Sequence, residues 1–189
     1  MRKAAAFRLR CLLALLLLAL APAPAIAEVE IAFYSRELGA NNFPHAFVVL
    51  RGTLDTTGEI VDTSLGFTAH SVTPAILLGS VRGEVVVEGE RQIARSDRQF
   101  ALTLTDDQYR AVMAVVERWR ALPQPSYNLN RANCVWFVSE IAAAVGLRVE
   151  ITQRLSKRPR SFFQGLRRLN PQLERPAAPE RAPEPVPTG

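Results

Sequence analysis

The sequence predicts an α+β domain, an antiparallel sheet of about five strands packed against helices, and three observations carry that expectation. Short segments rich in β-branched and aromatic residues come first, a turn signal joins two of them directly, and two helical patterns follow the strands. Strands are expected at Val29 to Tyr34, His45 to Arg51 and Glu59 to Leu65. Asp55-Thr56-Thr57-Gly58 lies between the last two and should close them into an antiparallel hairpin. The apolar runs Glu84 to Val87 and Gln99 to Leu104 extend the same sheet.

A helix is expected from Thr105, whose hydroxyl can cap the first turn while Gln108 reaches back, with Asp106 and Asp107 at the positive end of the helix dipole. It runs to about Arg120, and Tyr109, Val112, Val116 and Trp119 share one apolar face. A second helix begins near Asn133 or Cys134 and stops at Gly146, with Cys134, Val138, Ile141, Ala142 and Val145 on its inward stripe.

The two ends of the chain differ from this middle. Residues 1–27 have the form of a cleavable export signal: basic Arg2, Lys3, Arg8 and Arg10, an apolar run from Cys11 to Ala21, then Ala25-Ile26-Ala27 before Glu28. The apolar run falls short of the roughly 20 residues a bilayer needs. A periplasmic or extracellular protein is therefore expected. The signal holds four of the 23 basic residues and none of the 18 acidic ones, so the remainder carries a formal net charge of +1. That balance argues against nucleic-acid binding.

The expected folded domain covers residues 28–152. A basic stretch follows over 153–170, where Arg154, Lys157, Arg158, Arg160, Arg167 and Arg168 alternate with Phe162, Phe163, Leu166 and Leu169. It reads either as an amphipathic helix touching an anionic membrane or envelope polymer through residues 154–169, or as a helix packed on its own domain. Residues 171–189 hold six of the 13 prolines and few large apolar side chains, and are expected to be a disordered tail.

Beyond the signal the chain keeps one cysteine, Cys134, in a compartment where thiols are normally paired. Such a thiol is buried and inert, linked to another chain, or retained for its chemistry. The first turn of a helix favours a thiolate through its open N–H groups and partial positive charge. A base would have to be one of two histidines, His45 or His70. Against this stands a plain reading, a satisfied core histidine beside a buried inert cysteine. No metal cluster, phosphate loop or dinucleotide fingerprint is present, so no cofactor is implied.

Tyr127-Asn128, then Asn133-Cys134-Val135-Trp136-Phe137-Val138 and the helix end Gly146-Leu147, resemble the nucleophile segment of circularly permuted papain-like thiol hydrolases, the superfamily of NlpC-like cell-wall peptidases and lecithin retinol acyltransferase-like enzymes. In that superfamily the catalytic histidine lies upstream on a strand of the form matched by His45-Ala46-Phe47-Val48-Val49-Leu50-Arg51-Gly52. The resemblance covers about residues 43–147. It implies Cys134 as nucleophile, His45 as base, and an orienting polar residue on the next strand, where Asp62 stands.

A strict hairpin pairs Leu54 with Glu59 and sets His45 opposite Thr68, with His70 diagonal on the same face, so Asp62 would need a bulge or a wider loop to approach. Asp62 and His70 therefore remain alternatives. Asn133 either supports an oxyanion or caps the helix. The sequence departs from the acyltransferases at Trp136, where those enzymes usually carry histidine. The resemblance implies an exported hydrolase of an amide or ester, with cell-wall peptide ahead of acyl lipid as substrate. The alternatives are a non-enzymatic envelope-associated binding protein on the same scaffold and a secreted effector.

Overall fold

The computed structural model describes residues 28–37, 43–71 and 73–174. The expected export signal and the tail from residue 175 onward lie outside the described residues. Five strands form one antiparallel sheet: β1 (Val29–Arg36), β2 (His45–Thr53), β3 (Ile60–Ala69), β4 (Gly83–Val86) and β5 (Asp97–Leu104). Their order is β4-β3-β2-β1-β5, so β4 and β5 stand at opposite edges. The protein is thus an α+β domain with a five-stranded antiparallel sheet packed against helices.

The hairpin register follows from its turn. The Leu54 N–H donates to the Glu59 carbonyl at 2.9 Å, and pairing runs unbroken from Thr53–Ile60 to Phe47–Gly66. Because side chains alternate, this register assigns each residue a face. Ile31, Phe33, Val48, Leu50, Leu65 and Phe67 are buried in the main core. Phe47 and Val49 lie on the other face with Tyr34, under Ile93.

The main core is closed by α3 (Asp106–Arg120), α4 (Cys134–Ala144) and α5 (Pro159–Leu169). Two shorter helices, α1 (Ala75–Leu78) and α2 (Glu90–Ala94), lie in the β3–β4 and β4–β5 connections. Both are too short to show helical periodicity in sequence. The start of α3 has the expected reciprocal cap: Gln108 N–H donates to Thr105 Oγ1 at 3.2 Å, and Thr105 N–H donates to Gln108 Oε1 at 3.0 Å. Val112, Val116 and Trp119 are buried as their spacing suggests, with Tyr109 half-buried at the edge of that face.

The basic stretch is part of this same core. Pro159 opens α5, a position where a missing N–H costs nothing. Phe162, Phe163 and Leu166 are buried, and Phe163 packs edge-on against Phe33 and Phe100 at 6.0 and 5.9 Å. Burying a side chain of that size contributes about 1.5–3 kcal/mol. Its apolar side is therefore taken by the sheet. Arg160 turns outward to pair with Glu37 and Asp97. The fold continues past Pro171 into a 3-10 turn, Pro171–Glu174, whose Leu173 packs on the core. Asn170 secures that end: its Oδ1 accepts from Arg148 N–H, and its Nδ2 donates to the Arg148 and Leu166 carbonyls.

Candidate active site

His45 is the first residue of β2, and Cys134 is the first residue of α4. The alternation that buries Ala46, Val48 and Leu50 beneath the helices puts His45 on the opposite face with Phe47, whose ring it stacks against at 5.9 Å. The imidazole approaches the Cys134 thiol at the end of the sheet closely enough for the thiol to raise its proton affinity. Both residues line a cavity of about 690 Å³. Cys134 is a buried free thiol.

The third member of the group is Glu88. Its Oε1 lies 2.9 Å from His45 Nε2, and each side chain is only 9% exposed. Glu88 follows β4, in the segment that passes over the back of the sheet, and Ser64 fixes it by donating its hydroxyl to the Glu88 carbonyl at 2.8 Å. With Nε2 committed to Glu88, Nδ1 is the ring atom left for Cys134.

Gly66 makes this contact geometrically allowed. A Cβ built there would stand 2.7 Å from His45 Nε2 and 3.1 Å from Glu88 Oε1, so any side chain would occupy the space where the two groups meet. A glycine inside a strand marks such close approaches. Gly66 inside β3 is the trace this contact leaves in the sequence, and nothing local ties it to Glu88.

The electrostatics fit a proton held on the ring. Burial works against a charged imidazole, but hydrogen bonds and charge from Cys134 and Glu88 outweigh it and raise His45 from 6.5 to about 9. Burial also opposes the charged form of Glu88, yet the His45 hydrogen bond, the His45 charge and Arg36 together hold its carboxyl below the ordinary value. Burial, with added repulsion from the Cys134 charge, pushes the Tyr127 phenol up, so it stays protonated where it lines the cavity.

The two residues expected to orient His45 lie elsewhere. The unbroken register pairs Asp62 with Arg51, whose Nε donates to Asp62 Oδ1 at 3.0 Å on an exposed surface. The Asp62 side chain is 71% exposed. Without the bulge that would have turned it, it cannot reach the ring. His70 lies 2.9 Å from Glu84 through Nδ1, and both are open to solvent.

Asn133 caps α4. Its Oδ1 accepts from the N–H groups of Val135 and Trp136 at 2.9 and 3.3 Å. Its Nδ2 donates to the Leu129 and Ser156 carbonyls at 2.8 and 2.9 Å. No side-chain donor is left for an oxyanion, which corrects that alternative. The Cys134 N–H has no partner among the described residues and stands at the open end of the helix.

The loop before α4 is equally fixed. Tyr127 pairs with Val81 through its backbone and stacks on Phe67 at 5.8 Å, while Asn128 Nδ2 donates to Ser80 Oγ at 3.1 Å. Among the described residues, no group of three or more His, Cys, Asp or Glu side chains is arranged to hold a metal ion. The arrangement offers a thiol, a charge-stabilised imidazole and two donors beside a mostly apolar cleft. No protein-family model matches the chain, and neither does a curated protein or a solved structure.

Proposed function

We propose that the protein is an exported thiol hydrolase of permuted papain-like type, cleaving an amide or ester through an acyl-enzyme on Cys134. One observation carries this reading: the His45 ring is held between Glu88 and Cys134 at the wall of the cavity. Burying an ion pair is weak evidence for stability, because desolvation cancels much of its attraction. A scaffold serving only to bind has little use for one placed against a thiol.

The chemistry follows from the geometry. His45 holds the proton drawn from the thiol, and the Cys134 thiolate attacks the substrate carbonyl carbon. The oxyanion that forms is met by the Cys134 N–H and the protonated Tyr127 phenol. The carbon–leaving-group bond breaks as His45 protonates the departing amine or alcohol. Water then attacks the thioester, giving its proton to His45, and the acid leaves as the proton returns to sulfur. Glu88 keeps the ring oriented and its charge balanced throughout.

Export ranks cell-wall peptides first among substrates. An acyl lipid is the second reading, favoured by the apolar side chains Phe43, Ile76, Leu77 and Leu129 along the cleft. Incubating wild-type and Cys134→Ala protein with purified peptidoglycan and with phospholipid vesicles, followed by mass spectrometry, tests both. Products should be released by the wild type alone and from one material. Equal release by both proteins would remove Cys134 from the mechanism.

A further inference from the structure

Arg36 ends β1 directly opposite His45 in the antiparallel register, so both side chains leave the same face at the same end of the sheet. Its Nε is buried and has no hydrogen-bond partner among the described residues. A guanidinium donor in that state carries its full desolvation cost, so the position calls for an acceptor. Neither neighbouring carboxylate bonds it. Glu88 feels the Arg36 charge but gives Oε1 to His45, and Glu37 reaches away to Arg160. Residues 38–42 include no Asp or Glu.

Arg36 lines the cavity that holds Cys134 and His45, and Lys157 joins it from a separate element, the 3-10 turn Leu155–Lys157. Glu88 is the one carboxylate residue among the described lining residues. The cleft therefore presents two cations to whatever enters it. The forked guanidinium matches a carboxylate or phosphate edge, and an exposed lysine adds attraction without fixed geometry.

We propose that the cleft takes a substrate with a compact oxyanion, a carboxylate or a phosphate, close to the bond that Cys134 attacks, and that Arg36 holds it. This rests on Cys134 being the reactive thiol. The anion would satisfy the open Nε, and an uncharged analogue would leave it unpaired. Selectivity of this kind arises because the mismatched ligand strands a buried polar group.

Two alkylating agents of nearly equal size test it. Each forms a bond from the Cys134 sulfur to carbon while the carbon–iodine bond breaks and iodide leaves, but iodoacetate carries a carboxylate where iodoacetamide carries a neutral amide. The rate ratio of iodoacetate to iodoacetamide at Cys134 should exceed that of N-acetylcysteine by about tenfold or more, and fall toward that reference in Arg36→Gln. Acetate or inorganic phosphate, added as a protectant, identifies the preferred oxyanion.

A wild-type ratio equal to the reference, with iodoacetamide still reacting in a His45-dependent way, overturns the anion site and leaves the thiol hydrolase standing. A raised ratio that survives Arg36→Gln assigns the attraction to Lys157 or His45 and removes Arg36 from the proposal. If neither reagent reacts faster than with N-acetylcysteine, the thiol reading falls and takes the anion site with it.

Discussion

Glu88 grips the ring of His45 at 2.9 Å across 43 residues of chain, from a segment lying over the back of the sheet. Glu88→Gln should therefore slow iodoacetamide alkylation of Cys134 by about tenfold or more, since an amide cannot balance the imidazolium. Asp62→Asn, altering only an exposed pair with Arg51, should leave the rate within about twofold. Equal loss in both variants would return Asp62 to the site.

The proton on His45 should be visible directly. Nitrogen-edited NMR titration should place its midpoint near pH 9 in the wild type. The midpoint should fall in Cys134→Ser, because Cys134 is the strongest influence raising it. A midpoint unchanged by Cys134→Ser would separate the two residues.

The same shift has a signed effect on stability. Folding raises the His45 value, so the folded state binds its proton more tightly than the unfolded chain, and the stabilisation is complete below about pH 6.5 and lost as pH climbs through about 9. Glu88 is lowered, so its contribution is present above the ordinary carboxylate range and lost on acidification. Urea midpoints should decline between pH 7 and 10 by a stability of about 2 kcal/mol, and less steeply in Cys134→Ser. A flat profile for the wild type would contradict the coupling.

Gly66→Ala should cost about 1–3 kcal/mol and also depress Cys134 reactivity, because its new methyl group meets the His45–Glu88 contact. Gly79→Ala, with open space around it, is the matched control. Thermal melts and alkylation rates read the two effects separately. Retained reactivity in a folded Gly66→Ala protein would mean the ring does not need that position.

Asn133→Ala removes an acceptor from two helix N–H groups and two donors to carbonyls. The expected loss is about 2–4 kcal/mol, seen in denaturant melts. Asn133→Asp keeps the acceptor and should fall between that variant and the wild type. If Asn133→Ala instead leaves stability intact and abolishes alkylation, the residue acts on the chemistry.

What the sequence made legible was mostly local. The turn Asp55 to Gly58 set the β2–β3 register, and the Thr105–Gln108 pair marked the start of α3, because each depends on residues only a few positions apart. His45 and Cys134 could be singled out by residue type and place in their elements. Glu88 could not, since its approach depends on β4 lying beside β3 and on Gly66 leaving room. The register that displaced Asp62 was itself readable, and the family pattern outweighed it. The basic stretch was ambiguous because Phe162 and Phe163 suit a membrane or a sheet equally, and only Phe33 and Phe100 decide between them.

The separation of β4 and β5 to opposite edges forces their connection to cross the back of β3, β2 and β1. That connection carries Glu88, then Glu90 bound to Arg51, then Ile93 seated with Phe47 and Val49. No continuous piece of the chain shorter than residues 45–134 contains His45, Glu88 and Cys134 together. Such distant pairings form slowly, because loop closure has to precede the contacts that stabilise it. A chain whose strap is not yet closed over the sheet therefore lacks the His45–Glu88 contact, and with it the partnered imidazole beside Cys134.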